Sequence, residues 1–297
     1  MRRALQLFSF LLMVLFSLPF ALMPFAISLK IGEMMGVLLF YFWKSRRLIA
    51  IENLSSAVAR GAVIIKSAPE SVIKQNFRNM GKSFVEIVKI YYGFGEKIFE
   101  RVERRGIENY RKAHDKGGGV IFISGHCGNW ELTGIVLSSK LTSVRGVARP
   151  LNNPYLNKLI ENTRKKYGNT VIYKKGALKK ILIALRKNEA VGMLMDQSVV
   201  RSEGVVADFL GKKDHIMKIP GIIARKTGSP VLPVFIRRVG RGHLIEIGHE
   251  IELDQAEDYD QAVYNDTIRF SGHIEKYIKN NPSEWLWIHR RWKRIKD

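Results

Sequence analysis

The residues best equipped for chemistry are the run Ser124-Gly-His126-Cys-Gly-Asn-Trp-Glu131. A histidine beside a carboxylate makes a general base with its orienting partner. The acid holds one ring nitrogen protonated and stabilises the imidazolium, while the other nitrogen takes a proton from a hydroxyl. Spacing limits how this can work. On one continuous helix, residues five apart lie about 140° apart around the axis and do not face each other. With His126 in a turn and Glu131 in the first turn of the next helix, the carboxylate can fold back toward the imidazole. The competing reading is a turn-capping histidine and an acid at a helix start, where negative charge is favoured anyway. No serine nucleophile is needed if an acceptor brings its own hydroxyl. One His, one Glu and Cys127 make a poor zinc set, so no metal or other cofactor is expected. Cys127 reads as a small buried residue.

The elements around this run explain its setting. Gly117–Ser124 is a β-branched strand after a glycine cluster, and a helix is expected over Trp130–Ser139. Further buried strands are expected at Ser143–Ala148, Thr170–Tyr173, Ala190–Met195 and Pro230–Arg237, with an alternating edge strand at Leu244–Leu253. Helical patterns fall between them at Pro154–Tyr167, Gly176–Lys187 and Ile219–Thr227, and one more precedes them from Ser71 to Gly93. Strands alternating with helices predict an α/β fold whose mostly parallel or mixed central sheet is flanked by helices. Ligands bind such sheets where strands end and helices begin, which is where His126 falls. Asp196 ends another buried strand on the same edge, beside Gln197.

Composition narrows the classes. The 297 residues are 46% hydrophobic, with 49 Lys+Arg against 27 Asp+Glu and a formal charge of +22. Such a chain is too apolar for disorder, and its single cysteine excludes a disulfide framework. The positive excess asks for an anionic partner without naming it. Ten Lys and Arg and one acid occupy Lys158–Lys187, while Glu246–Asp266 holds eight acids and no Lys or Arg. Both runs have a plain reading as solvated surface. After Arg2 and Arg3, 26 residues from Ala4 to Leu29 carry no charge, more than the roughly 20 that cross a bilayer. A second apolar run covers Met34–Trp43. A cleaved signal, a spanning anchor and a hairpin kinked at Pro19 and Pro24 compete for this region. Membrane attachment is the common expectation, with residues 1–45 as a hydrophobic anchor and residues 46–297 as one α/β domain.

Taken together, these motifs resemble the late acyltransferases of lipid A biosynthesis in Gram-negative bacteria, over nearly the whole chain. The likeness rests on the hydrophobic start, RRLIAIENL at Arg46–Leu54, SGHCGNWE at Ser124–Glu131 and ARPLNNPYLNKLIENTRKKYG at Ala148–Gly168. MLMDQ at Met193–Gln197 and EWLWIHRRWK at Glu284–Lys293 complete it. A histidine followed five residues later by Glu also separates this family from glycerolipid acyltransferases, which typically carry Asp there. The resemblance implies a fold like that of the glycerolipid acyltransferases. It implies His126 as general base with Glu131, acting on a hydroxyl of a phosphorylated glycolipid, and acyl carrier protein as thioester donor. It further implies a place in the bacterial inner membrane, with the catalytic domain on the cytoplasmic face.

Arg149 and Arg164 match basic positions of the family motifs. Either would meet an oxyanion or a sugar phosphate, and either has a plain reading as surface charge. Asp196 is expected to position Arg164 or the acceptor, or else to cap a turn. Asn129 and Trp130 either take part in the site or only shape the turn. Trp285, Trp287, His289, Arg290, Arg291 and Trp292 suit a membrane interface and equally suit packing on the sheet. Two rival readings stay open. A related acyltransferase would act on another glycolipid, a glycerolipid or an aminolipid. A basic membrane-tethered nucleic-acid-binding protein would work without His126, but no helix-turn-helix, zinc-finger or RNA-binding motif is present, so nucleic acid is not an expected partner.

Overall fold

The computed structural model describes residues 2–173 and 176–294. The chain starts with four helices: α1 (Arg2–Leu22), α2 (Phe25–Phe42), α3 (Lys44–Ala59) and α4 (Pro69–Tyr91). The uncharged run is therefore two helices, divided at Pro24, while Pro19 stays inside α1. Pro24 supplies no N–H and starts the new helix. Carbonyls orphaned at the end of α1 find donors from elsewhere: Ser28 Oγ donates to Phe20 O, and Lys89 Nζ donates to Ala21 O and Met23 O. Both α1 and α2 are long and apolar enough to cross a membrane. Leu5, Phe8, Leu11, Leu12, Leu15 and Phe16 of α1 are all exposed.

Helices α2 and α4 approach at backbone distance. A Cβ placed on Gly36 would lie 2.1 Å from Phe77 O, and one on Gly81 would lie 2.0 Å from Gly32 O. Only glycine permits this approach. Phe40 at the end of α2 is buried in the same core as Phe77 of α4 and Leu54 of α3. The apolar helices thus share a core with the rest of the chain.

Next come α5 (Glu96–Phe99), β1 (Val102–Arg105), α6 (Ile107–His114), β2 (Val120–Ser124), α7 (Trp130–Lys140), β3 (Val144–Ala148), α8 (Pro154–Lys166) and β4 (Thr170–Tyr173). The chain continues through α9 (Ala177–Arg186), β5 (Ala190–Leu194), an antiparallel hairpin of β6 (Gly204–Phe209) and β7 (Lys212–Met217), and α10 (Ile219–Thr227). It finishes with β8 (Val231–Val239), β9 (Gly242–Ile247) and α11 (Tyr259–Asn280). Seven strands form the main sheet in the order β1-β9-β8-β2-β5-β3-β4. Every neighbouring pair is parallel except β8 and β9.

The strand order decides which face each helix covers. From β2 to β3 to β4 the chain moves outward, and from β4 to β5 it returns, so right-handed crossovers put α7 and α8 on one face and α9 on the other. The cores agree. Leu132, Ile135 and Val136 of α7 pack with Phe122 and Leu232 on the first face. Ile181 of α9, Ile223 of α10 and Phe270 of α11 join Ile121 and Ile123 on the second.

The expected α/β class and five of the expected strands are present. One strand is placed differently: β9 is internal, between β1 and β8, and the edges are β1 and β4. Its cover, Val-Glu-Arg-Arg at β1, is exposed at three of four positions, so no apolar signal announced it.

The candidate active site at the carboxyl edge of the sheet

β2 ends at Ser124, and the loop that follows carries His126. Gly128 in this loop has φ +54°, and a Cβ there would lie 2.4 Å from Ile236 O, so the turn needs glycine. Asn129 caps α7 by accepting from Leu132 N–H. Because β2 and β5 run parallel with Ser124 opposite Leu194, the residues just past each strand end are neighbours. His126 and Asp196 meet there. The two atoms His126 Nδ1 and Asp196 Oδ1 are 2.8 Å apart.

Asp196 is held from several sides. Its Oδ2 accepts from Trp285 Nε1–H at 2.8 Å, its carboxylate also accepts from the His126 backbone N–H, and its carbonyl accepts from Arg291 Nη1. Burial pushes this carboxyl up, but the imidazole and its donors outweigh burial and hold it at about 2. Burial likewise pulls the His126 imidazole down, and the Asp196 charge outweighs that, leaving its pKa raised. With Nδ1 engaged, Nε2 is the nitrogen left to take a proton. Trp130 packs edge-on against the ring, and the Gln197 amide nitrogen sits 3.4 Å from both ring nitrogens.

The expected contact between His126 and Glu131 is replaced by another. Glu131 lies in the first turn of α7 and reaches across to α8, where Arg164 donates to it through Nε at 2.7 Å and Nη2 at 2.6 Å. That pair raises the Arg164 pKa against its burial. Asp196, expected to position Arg164 or the acceptor, instead partners His126, because strand register sets it beside the histidine. Arg149 lies exposed in the loop after β3, with no ion-pair partner among the described residues. Burial pushes the Cys127 thiol well up, as a small packed residue requires.

Asn129 reaches outside the site. Its Nδ2 donates to Glu86 of α4, which is fully buried and also pairs with Arg238 and His243. Burial raises the Glu86 carboxyl, and its contacts with His243 and Arg238 overcome this and hold it at about 2. The aromatic, basic C-terminal segment packs inward. Trp285, Trp287 and Arg291 are buried, Gly128 N–H donates to Glu284 O, and Leu286 N–H donates to His126 O. Asn76 of α4 and Asn53 of α3 pin its backbone by donating to Trp285 O and Trp287 O. Sequence reasoning found this segment but not its contact with Asp196. The only signal was several motif-like strings in one chain, which says nothing about which of them touch. Lys174 and Lys175, inside the basic run, lie outside the described residues.

The fold and site define an α/β protein with a His–Asp pair at the sheet edge and two apolar helices beside it. The chain belongs to the bacterial lipid A biosynthesis acyltransferase family, whose description matches residues 1–294. It is 26% identical over 275 residues to the Escherichia coli lipid A biosynthesis palmitoleoyltransferase, covering 91% of this chain and 86% of that one. It is 25% identical over 277 residues to the lipid A biosynthesis lauroyltransferase of the same organism, covering 91% and 87%. A phosphatidylinositol mannoside acyltransferase of Mycolicibacterium smegmatis is 22% identical over 228 residues, covering 75% and 73%. Among solved structures, the Thermotoga maritima 1-acyl-sn-glycerophosphate acyltransferase PlsC aligns with a TM-score of 0.40 at 14% identity, covering 86% of this chain and 99% of that one. Among the described residues, no cluster of three or more His, Cys, Asp or Glu could hold a metal ion.

Proposed function

We propose that this protein transfers an acyl chain from the thioester of acyl carrier protein to a hydroxyl of a lipid A precursor at the inner membrane. The 2.8 Å contact between His126 and Asp196 carries this reading, because it leaves one imidazole nitrogen basic at the ligand-binding edge of the sheet. His126 Nε2 takes the hydroxyl proton as the oxygen attacks the thioester carbonyl. The tetrahedral oxyanion collapses, the carbon–sulfur bond breaks, and the imidazolium returns its proton to the departing thiolate. Ester and free thiol are the products. Asp196 stabilises the imidazolium throughout.

Glu131 and Arg164 act as a strut between α7 and α8, with further N–H donors of the guanidinium available to a phosphate. Arg149 and the exposed cations Lys158, Lys165, Lys179 and Lys180 suit a phosphorylated acceptor and an acidic carrier protein. The exposed apolar flank of α1 belongs in lipid, with residues 1–45 as the anchor, and the sheet edge then opens at the cytoplasmic face. Asn129 serves the site by linking the loop to Glu86.

The test is mass spectrometry of lipid A from cells with and without the protein, alongside transfer from acyl carrier protein in vitro. One fewer acyl chain without the protein, restored by wild type and not by His126→Ala, is the expected result. An unchanged lipid A pattern would refute the acceptor. The mycobacterial relatives favour a second reading, in which the same pair acylates another lipid, and offering mannolipid and glycerolipid acceptors side by side separates the two.

A further inference from the structure

One stretch of the sheet face between α7 and α8 is only partly covered. Helix α7 packs over β2 and β8, and α8 approaches β4, where Asn157 Nδ2 donates to Tyr173 Oη at 2.7 Å. Between them the strands alternate regularly. Val144 and Ala190 lie in the core under α7, so Gly146, Ala148, Gly192 and Leu194 point to the same side. All four are partly exposed, as is Val171 beyond them. Gly146 and Gly192 stand directly opposite each other in the register. A Cβ on Gly146 would meet nothing within 4 Å, and one on Gly192 would only touch Val144 at 3.4 Å. Neither glycine has a positive φ or a close backbone neighbour to require it. Glycine in a strand interior lowers stability and commonly marks a place where a ligand comes close.

The roof repeats the pattern. Thr163 is the buried residue of α8 and marks its inward face, and Leu156, Leu159 and Ile160 fall on that face by helical spacing. Yet each of the three is partly exposed. One end of the slot adjoins Ser124, the register partner of Leu194, two residues before His126. From Leu194 to Gly192 and then across to Gly146 and Val171 the floor runs roughly 16 Å by strand rise and spacing. The Glu131–Arg164 pair ties the two walls together.

We propose that this slot is the binding groove for the acyl chain of the thioester donor, and that Gly146 and Gly192 set how long a chain it takes. The inference rests on the acyl-transfer reading. Leu194, Gly192, Gly146 and Val171 offer no polar side chain along this path, so it suits methylenes. The carbonyl carbon must reach His126, so the chain extends from that end along the floor. Each buried methylene is worth roughly fourfold in kcat/KM, from about 0.8 kcal/mol apiece.

The experiment compares wild type with Gly146→Ala and Gly146→Leu in detergent, using decanoyl, lauroyl, myristoyl and palmitoyl donors on one acceptor. A parallel series varies the acceptor's own chains with one donor. Thermal unfolding checks the fold, and the open space at Gly146 keeps at least the alanine variant folded. The expected result is a shift toward shorter donors, graded from alanine to leucine. The shortest donor keeps near wild-type activity, the longest loses at least about tenfold, and acceptor preference stays unchanged. Equal loss at every donor length, an unchanged profile in folded variants, or a shift in acceptor preference alone would overturn the groove assignment. Absence of transfer by the wild-type protein with every donor is the separate result that overturns the acyl-transfer reading, and the groove with it.

Discussion

Replacing Asp196 by Asn separates the two candidate partners of His126. The side chains are nearly the same shape, but the carboxylate has two accepting oxygens and the amide has one. Trp285 Nε1–H can only donate, and it sits 2.8 Å from Oδ2. The amide oxygen therefore goes to Trp285, and the amide NH₂ turns toward His126 Nδ1. That stabilises the tautomer with its proton on Nε2, where the base should be free. The expected loss in kcat is about 10³- to 10⁴-fold, or roughly 4–6 kcal/mol of barrier. KM for either substrate should hardly move, because the Asp196 side chain is only 2% exposed.

The pH profile adds a second reading. A base must be neutral to act, so activity falls as pH falls through the raised His126 pKa. Without the carboxylate, burial prevails and the acid limb of the residual activity moves to lower pH. Glu131→Gln is the control. It weakens the strut to Arg164, costs within about a hundredfold, and leaves the acid limb in place. Single-turnover transfer followed by mass spectrometry across pH measures all three proteins. An acid limb moved by Glu131→Gln and not by Asp196→Asn, or an Asp196→Asn enzyme within about tenfold of wild type, would refute this reasoning.

Four further outcomes follow from other parts of the molecule. Gly36→Leu should destabilise the protein by about 3 kcal/mol or more, read by thermal unfolding in detergent, since even its Cβ meets Phe77 O. Gly272→Ala in α11, with open space at its Cβ, should instead stabilise by about 0.5–1 kcal/mol. Glu86→Gln should cost about 3–5 kcal/mol by leaving Arg238 and His243 unpaired. In wild type the Glu86 carboxyl falls from 4.5 to about 2 on folding, so its stabilisation is complete above the unfolded value and fades as pH drops toward 2. Denaturant titration at two acidic pH values checks the sign. Lys179→Glu with Lys180→Glu should raise KM for a carrier-protein donor about tenfold at low salt. The same pair should leave transfer from a small-thiol thioester unchanged.

The strands at Thr170–Tyr173 and Val120–Ser124 were legible because they are short, apolar and bounded by turns. β1 and the β6–β7 hairpin were not, because Val-Glu-Arg-Arg and Lys-Lys-Asp-His carry their pairing in the backbone and not in side-chain pattern. His126 was found by its place after a buried strand. The sequence points to Glu131 as its partner because proximity along the chain is visible and strand register is not. Asp196 stands 70 residues away, and only the β2–β5 pairing puts the two side by side. The C-terminal tryptophans read equally as interface or core, and burial of Trp285 and Trp287 decided for core.

The bridge between Cys127 and Trp285 bears on when the site comes into being. Trp285 follows Asp196 by 89 residues, so a ribosome finishes β2, His126 and Asp196 well before the indole that holds Asp196 exists. By then α1 and α2 have left the exit tunnel. Contacts this distant along the chain also form late in folding. The support of Asp196, and through it of His126, is therefore complete only after the loop and the tail have closed over each other.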